Sequence, residues 1–357
     1  MKVTGRRLAF GMSRGQFSQG LLSYICLVSA FVFGLSVPGY TQETVVLVGT
    51  GSSVPAPLYS RWAQEYGKHK STVQMRYVPV GTSEGIKQIS HGSGDFGAGE
   101  ALLSPKERAE DGLLELPAVL IGIVPIYNLP EVHQDLRMSG EVLAEIYLGN
   151  VKMWNAPQIA KLNPDVALPN LPIQVINRPA GKGSNYVFTD FLSKSSAKFR
   201  SQIGVSASPN WPVGTPTERS SDMADKVKNE PGSLGYVEYQ YAAKGHISQA
   251  FVQNSAGKFV KASPGGLMAA CEAVESPRWN NFSASLINAP GADSFPITSF
   301  TWIYLRTKGS DSARSAALGD LLGWIYSNGQ QFAVEEGYAE LPPALLAAVN
   351  KKVKDLH

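Results

Sequence analysis

The chain has 357 residues, 43% of them hydrophobic and 17% charged, with 35 Gly and 23 Pro; this supports two lobes of ordinary size and excludes a disordered chain. The net charge of +3 belongs to one end, because Lys2, Arg6, Arg7 and Arg14 are the only charged residues before Glu43 and the remainder stands at −1. So neutral a body lacks the basic footprint of a nucleic-acid binder, and no nucleic-acid partner is expected.

In chain order, the basic start leads into an apolar run over residues 21–37 (LLSYICLVSAFVFGLSV), then Pro38, Gly39 and small or polar residues. This is the order of a secretory signal, here spanning residues 1–42. At 17 residues the run is at the lower limit for crossing a bilayer, so an uncleaved N-terminal anchor is the alternative. Cys26 lies inside the run, which leaves Cys271 as the one thiol of the mature chain, expected as a buried small residue.

From Glu43 strands and helices alternate. ETVVLVG (43–49) is a β-branched run suited to a strand buried on both faces. A helix follows, with Pro55 and Pro57 near its start and Leu58, Trp62 and Tyr66 at helical spacing. Residues 73–80 form the next strand, GTSEGIKQISHG a turn into a second helix, and 95–104 a short strand ending in a loop. VLIGIVPIYN (119–128) is another buried strand, followed by a helical SGEVLAEIYLGN, a Pro/Asn-rich loop over 155–172 and a strand at 173–178. A helix over 185–194, a turn–strand–helix over 232–245, a long strand over 295–307 and a final helix over 317–337 complete the chain. The order implies an α/β fold with parallel pairing and right-handed crossovers, with 119–128 and 295–307 as crossovers between two sets of elements.

Most motifs with a known chemistry fail on context. Gly92-Ser93-Gly94-Asp95-Phe96-Gly97 has dinucleotide spacing but precedes a strand instead of following one. Gly49-Thr50-Gly51 does follow a strand, yet Val54 stands where the third glycine belongs. The five histidines lack zinc-pair spacing, and no nucleophile elbow or Cys-His signature is present, so no metal, cofactor or enzymatic activity is expected. What remains is three small hydroxylated loops, each between a strand and a helix: Gly51-Ser52-Ser53-Val54, Gly81-Thr82-Ser83 and Gly181-Lys182-Gly183-Ser184. Helix N-termini present unpaired N–H groups to anions, and glycine lets an anion approach them closely. Each loop taken alone reads equally as an ordinary helix cap. Together, with Arg178 just ahead of the third, they read as one divided oxyanion site.

At these residues the sequence resembles the PstS family, the periplasmic phosphate-binding proteins of bacterial phosphate ABC transporters. GTGSSVPAPLYSRWA, GIKQISHGSGDFGAGEALLS, LAEIYLGNVKMWN, IAKLNP, NRPAGKGSNYVFTDFLSK, GSLGYVEYQYA and FPITSF stand in the family's order between about Thr44 and Asp355. The resemblance implies a two-lobed periplasmic binding protein fold of type II, with mixed, mostly parallel sheets and a ligand cleft between lobes. It divides the chain into lobe I (43–125 with 297–357) and lobe II (126–296). It further implies a periplasmic or secreted monomer that captures inorganic phosphate without a cofactor and delivers it to a membrane permease.

Carried over position by position, the phosphate-binding residues are Ser53, Val54, Thr82, Glu100, Arg178, Lys182, Gly183 and Ser184. Three positions depart from the family. Glu100 replaces an aspartate that accepts the phosphate proton, Lys182 a serine donor, and Ala180 an aspartate that pairs with the arginine. A buried carboxylate separates hydrogen phosphate, which carries an O–H donor, from sulfate, which does not. Glu100 reaches about 1.5 Å farther than aspartate, so either the pocket has moved or Glu100 turns aside to pair with Lys182. Arsenate or sulfate binding, or a surface or matrix adhesion protein that kept the fold, are the alternatives.

Overall fold

The β-branched run after Glu43 becomes β1 (Val45–Gly51), which opens a nine-stranded mixed sheet. The computed structural model describes residues 44–274, 282, 284–307 and 312–355, within the unit Gln42–His357. The expected signal segment lies outside the described residues. Among those described, no helix is long and apolar enough to cross a membrane.

Along the chain, β1 is followed by α1 (Ala56–His69), β2 (Val73–Pro79), α2 (Thr82–Ser90), β3 (Phe96–Gly99), α3 (Pro105–Ala109) and β4 (Leu113–Tyr127). Then come β5 (Arg137–Met138), α4 (Gly140–Tyr147), α5 (Pro157–Ala160), β6 (Gln174–Asn177), α6 (Gly183–Ser195), α7 (Ala197–Gln202), β7 (Thr215–Pro216), α8 (Ser220–Asn229), β8 (Ser233–Glu238) and α9 (Tyr239–Gly245). The remainder comprises β9 (Ser248–Gln249), β10 (Phe251–Gln253), β11 (Phe259–Val260), α10 (Pro264–Glu272), β12 (Thr298–Arg306), α11 (Ser312–Trp324), α12 (Gln330–Glu336) and α13 (Pro343–Lys354).

The main sheet runs β2-β1-β3-β12-β4-β8-β6-β7, with β9 on β4. Its flanks are parallel (β2, β1, β3 on one side; β8, β6, β7 on the other), while β12, β4 and β8 in the middle pair antiparallel. The centre is β4, whose residues are almost all buried, as a continuous apolar run requires when both faces are covered. Its first part, Leu113 to Gly122, pairs with β12, and from Ile123 onward it pairs with β8. This one strand therefore passes between two sets of partners, whereas among the described residues β12 pairs with β3 and β4 alone. The β4–β12 register slips by one residue between Thr301 and Trp302, where Pro117 has no N–H to give the ladder. The carbonyl of the bulged residue Ala118 is taken by Gln330 Nε2 at 3.1 Å.

Two of the expected elements differ. The single helix over 317–337 is broken by a π-helical turn, Ile325–Gly329, between α11 and α12. The extra residue of that turn follows a tertiary contact: Trp62 Nε1 donates to the Gly329 carbonyl at 2.8 Å, and a Cβ at Gly329 would stand 2.9 Å from that nitrogen. Nor does the chain's helical part end there, because α13 buries Leu345, Val349 and Val353 at four-residue spacing. Cys271 is buried as expected, and burial pushes its thiol up to about 12, so it is no nucleophile.

Candidate oxyanion site

α1 at Pro55, α2 at Gly81 and α6 at Lys182 begin without a side-chain cap, a property they share with α8 and α13 among the longer helices. The first three are the helices that follow the three hydroxylated loops. Elsewhere serine caps in the ordinary way, Ser104, Ser139, Ser196 and Ser263 each accepting from a first-turn N–H of α3, α4, α7 and α10. In these three loops no side chain of the N-cap residue itself acts as a cap. Their N-termini keep N–H groups that no side chain of the cap residue satisfies.

The loops converge. Val80 and Gly81 both donate from the main chain to the Gly51 carbonyl at 2.8 Å, and Ser52 N donates to Ala98 O at 2.9 Å, which brings the first two loops to the end of β3. Gly81 has φ +99°, a conformation open to glycine. Across from them, Ser83 N reaches the Gly181 carbonyl at 3.5 Å. A Cβ built on Gly183 would lie 1.5 Å from Glu100 Oε2 and 2.5 Å from Thr82 Oγ1, so the start of α6 presses directly on these two side chains. Only a glycine permits that approach.

Glu100 and Thr82 are 1% and 0% exposed, and Thr82 Oγ1 donates to Glu100 Oε2 at 2.8 Å. Glu100 Oε1 has no partner of hydrogen-bonding geometry among the described residues. Burial pushes the Glu100 carboxyl up to about 8; the Ser52 and Thr82 hydroxyls oppose this and the negative Glu238 reinforces it. The unfolded chain, with a carboxyl near 4.5, gives up a proton that folded Glu100 keeps. This group's contribution to stability is therefore full below about 4.5 and is lost as the pH rises through about 8. In thermal scans without ligand, Tm is expected to fall over that window in the wild type and to stay flatter in Glu100→Gln.

Arg178, 1% exposed, follows β6. Its guanidinium donates to Ser220 Oγ at 2.5 Å and to the Glu218 main-chain carbonyl at 2.8 Å, while Nε has no partner among the described residues. No carboxylate is recorded as its ion-pair partner among those residues, so serine and a carbonyl orient the cation in a loop where alanine stands at 180. The Tyr236 hydroxyl accepts from Arg178 N at 3.2 Å and donates to Asn185 Oδ1. Asn185 in turn holds the Arg178, Pro179 and Ala207 carbonyls. That network fixes the third loop to the first turn of α6. Ser184 Oγ, also buried, has no partner among the described residues.

The other expected site residues fall differently. Lys182 does not reach Glu100: its Nζ pairs with Glu218 Oε2 at 3.0 Å at the surface, and its N–H goes to Ala207 O. The longer Glu100 is accommodated by Gly183 and Thr82, not by a turn toward Lys182. Val54 N donates to Ser52 Oγ at 3.1 Å, so that N–H is occupied within its own loop, and Ser53 is half-buried beside it. Ser220, Tyr236, Asn185 and Glu238 were not legible as site residues, since each acts through a partner distant in sequence or only through the tertiary fold, whereas Ser52 belongs to the first hydroxylated loop. Glu238 alone has a local signal, a carboxylate ending an otherwise apolar strand, GYVE.

Buried hydroxyls and one buried arginine, together with a buried carboxylate, offer the donors and the acceptor suited to a small protonated oxyanion. Residues 38–328 match the PBP superfamily domain. The phosphate-binding protein PstS of Pasteurella multocida is 34% identical over 315 residues, covering 88% of this chain and 91% of that protein. In fold, the chain is similar to a high-affinity periplasmic phosphate-binding protein, PfluDING (TM-score 0.68, 18% identity, 86% of this chain and 93% of that one). A putative phosphate ABC transporter substrate-binding protein from Clostridium perfringens gives a TM-score of 0.60 at 18% identity, covering 83% of this chain and 100% of that one. The chain belongs to the PstS family of periplasmic binding proteins, and its mixed α/β sheet is that fold.

Proposed function

We propose that this protein captures inorganic phosphate between two lobes and hands it to the membrane permease of a phosphate ABC transporter. The observation that carries the reading is the convergence of uncapped helix starts at 82 and 183 on buried Glu100, with buried Arg178 behind the third loop. The site residues are Ser53, Thr82, Glu100, Arg178, Gly183 and Ser184, with Val54 shaping the first loop and Lys182 gating the rim through Glu218. In a water-poor site each charge-assisted hydrogen bond to the anion is stronger than in solvent. In its ionised form Glu100 accepts the proton that phosphate carries and sulfate lacks. The passage of β4 from β12 to β8 supports a hinge there, with lobe I taken as 43–125 and 297–357 and lobe II as 126–296. The protein acts as a monomer outside the cytoplasm after export by its N-terminal segment, makes and breaks no covalent bond, and needs no cofactor.

Titration calorimetry with phosphate and sulfate tests this. Saturable heat with phosphate at micromolar protein and none with sulfate is expected; silence with phosphate would overturn it. Glu100→Gln, which turns an acceptor edge into a donor, is expected to narrow the preference for phosphate over sulfate. An unchanged preference would mean that Glu100 does not read the ligand proton.

A further inference from the structure

Glu238 is the last residue of β8 and is 0% exposed. Both of its carboxylate oxygens lack a partner among the described residues, and although it precedes α9 its side chain caps nothing. A carboxylate so buried and so unsatisfied is costly unless something else uses it. Strand alternation puts Glu238 on the same face as Tyr236, whose hydroxyl accepts from Arg178 N. In register it lies opposite Ile123, one position beyond the Gly122–Thr298 pair, where β4 changes partners. It is close enough to Glu100 for the two negative charges to oppose one another. Among the described residues three carboxylates are buried; Glu115 is paired with Arg108, which leaves Glu100 and Glu238 without an ion-pair partner beside one buried arginine, an unbalanced set into which an anion has to come.

We propose that Glu238 is a second proton-reading acceptor of this site, so that the bound oxyanion is held through two shared protons, one against Glu100 and one against Glu238. The inference rests on the phosphate reading above. Each shared proton counts once, whether drawn on the carboxyl or on the oxyanion. Above about pH 8 ligand-free Glu100 has given up its own proton and free phosphate is hydrogen phosphate with one, so the second shared proton comes from solvent and capture takes up about one proton per anion. The groups facing the pair bear on this. Around Glu100 stand Tyr59, Tyr77 and Tyr304, and around Glu238 stand Tyr236, Tyr241 and Tyr338. Burial pushes every one of these phenols up, so they stay neutral; the charges of Arg178 on Tyr236 and Tyr241, Arg219 on Tyr241, Glu115 on Tyr304 and Glu336 on Tyr338 also reach this surround. Two protons that bridge the oxyanion to the carboxylates are what relieve the imbalance.

Phosphate affinity is to be measured by calorimetry between about pH 7 and pH 9.5 in the wild type, Glu238→Gln and Glu238→Asp, and proton uptake in buffers of different ionisation heat. Linkage of one proton is a tenfold change per pH unit. The wild type and Glu238→Asp are expected to lose affinity about tenfold per unit above pH 8 and to take up about one proton at pH 9. In Glu238→Gln the profile flattens and uptake drops toward zero, because the amide donates where the carboxylate needed a proton. A Glu238→Gln profile parallel to the wild type would overturn the role of Glu238 while leaving phosphate binding standing. Should Glu238→Gln not fold, zero uptake by the wild type at pH 9 overturns the proposal by itself. A wild type that binds no phosphate at any pH refutes the functional reading instead.

Discussion

Arg178→Met is expected to abolish measurable phosphate binding at micromolar protein while leaving the ligand-free protein as stable as the wild type or more so. Removing one partner of a buried charged contact costs about 2–5 kcal/mol, roughly 30- to 4,000-fold in affinity at about 1.4 kcal/mol per tenfold. The stability half of the expectation follows from the environment of Arg178. Its cation is buried on Ser220 Oγ and the Glu218 carbonyl with Nε unpartnered among the described residues, and no carboxylate is recorded in ion-pair reach. A buried charge without an ion-pair partner carries a desolvation cost that an apolar chain of similar volume removes. Calorimetry and a thermal scan on the same preparation separate the two effects. A large fall in ligand-free Tm would instead make Arg178 a structural residue first. Ser220→Ala, which loosens the guanidinium without removing it, is expected to weaken binding by about tenfold, the worth of one hydrogen bond to a charged group.

Gly183→Ala is expected to weaken phosphate binding about 5- to 150-fold with little change in ligand-free stability. The new Cβ would fall 1.5 Å from Glu100 Oε2 and 2.5 Å from Thr82 Oγ1, and neither side chain has room to withdraw, being 1% and 0% exposed. Overpacking of this kind costs about 1–3 kcal/mol, which gives that range of affinity. Gly183 is the first residue of α6, where alanine is locally welcome, so the loss arises from the contact and not from the backbone. If the region of Thr82 and Glu100 can part from α6, the strain is relieved in the unliganded protein and appears only on capture. A loss of stability equal to the loss of affinity would show instead that the contact is permanent. Gly265→Ala in α10, where a Cβ meets nothing within 4 Å, is the control and is expected to leave binding intact.

Much of the fold was legible because it is local. The β-branched and apolar runs at 45–51, 73–79 and 174–177 form strands within a residue or two of where their patterns begin, and Ser, Gly and Pro punctuation marks the helix starts. The broken helix at 325–329 was not legible, since it answers a hydrogen bond from Trp62, over 260 positions earlier. The last helix, α13, carries a local signal in the four-residue spacing of Leu345, Val349 and Val353.

At the site the division is the same. The amino-acid sequence by itself determined the chemistry on offer: three glycine and hydroxyl loops at helix starts, one arginine after a strand, and a carboxylate at 100 in place of a shorter one. It determined also that positive charge would be local, since the first 42 residues carry +4 and the remainder −1. Only the tertiary structure decided how those groups are spent. It sent Lys182 to Glu218 at the surface, left the three helix starts without side-chain caps, and gave Arg178 a hydroxyl and a carbonyl in place of a carboxylate. It also brought Glu238 within electrostatic reach of Glu100. The physical reason is one of range. Propensity and periodicity act over a few residues, whereas the energy of a buried charge depends on every group packed around it, and those groups come from strands that meet only when the sheet has formed.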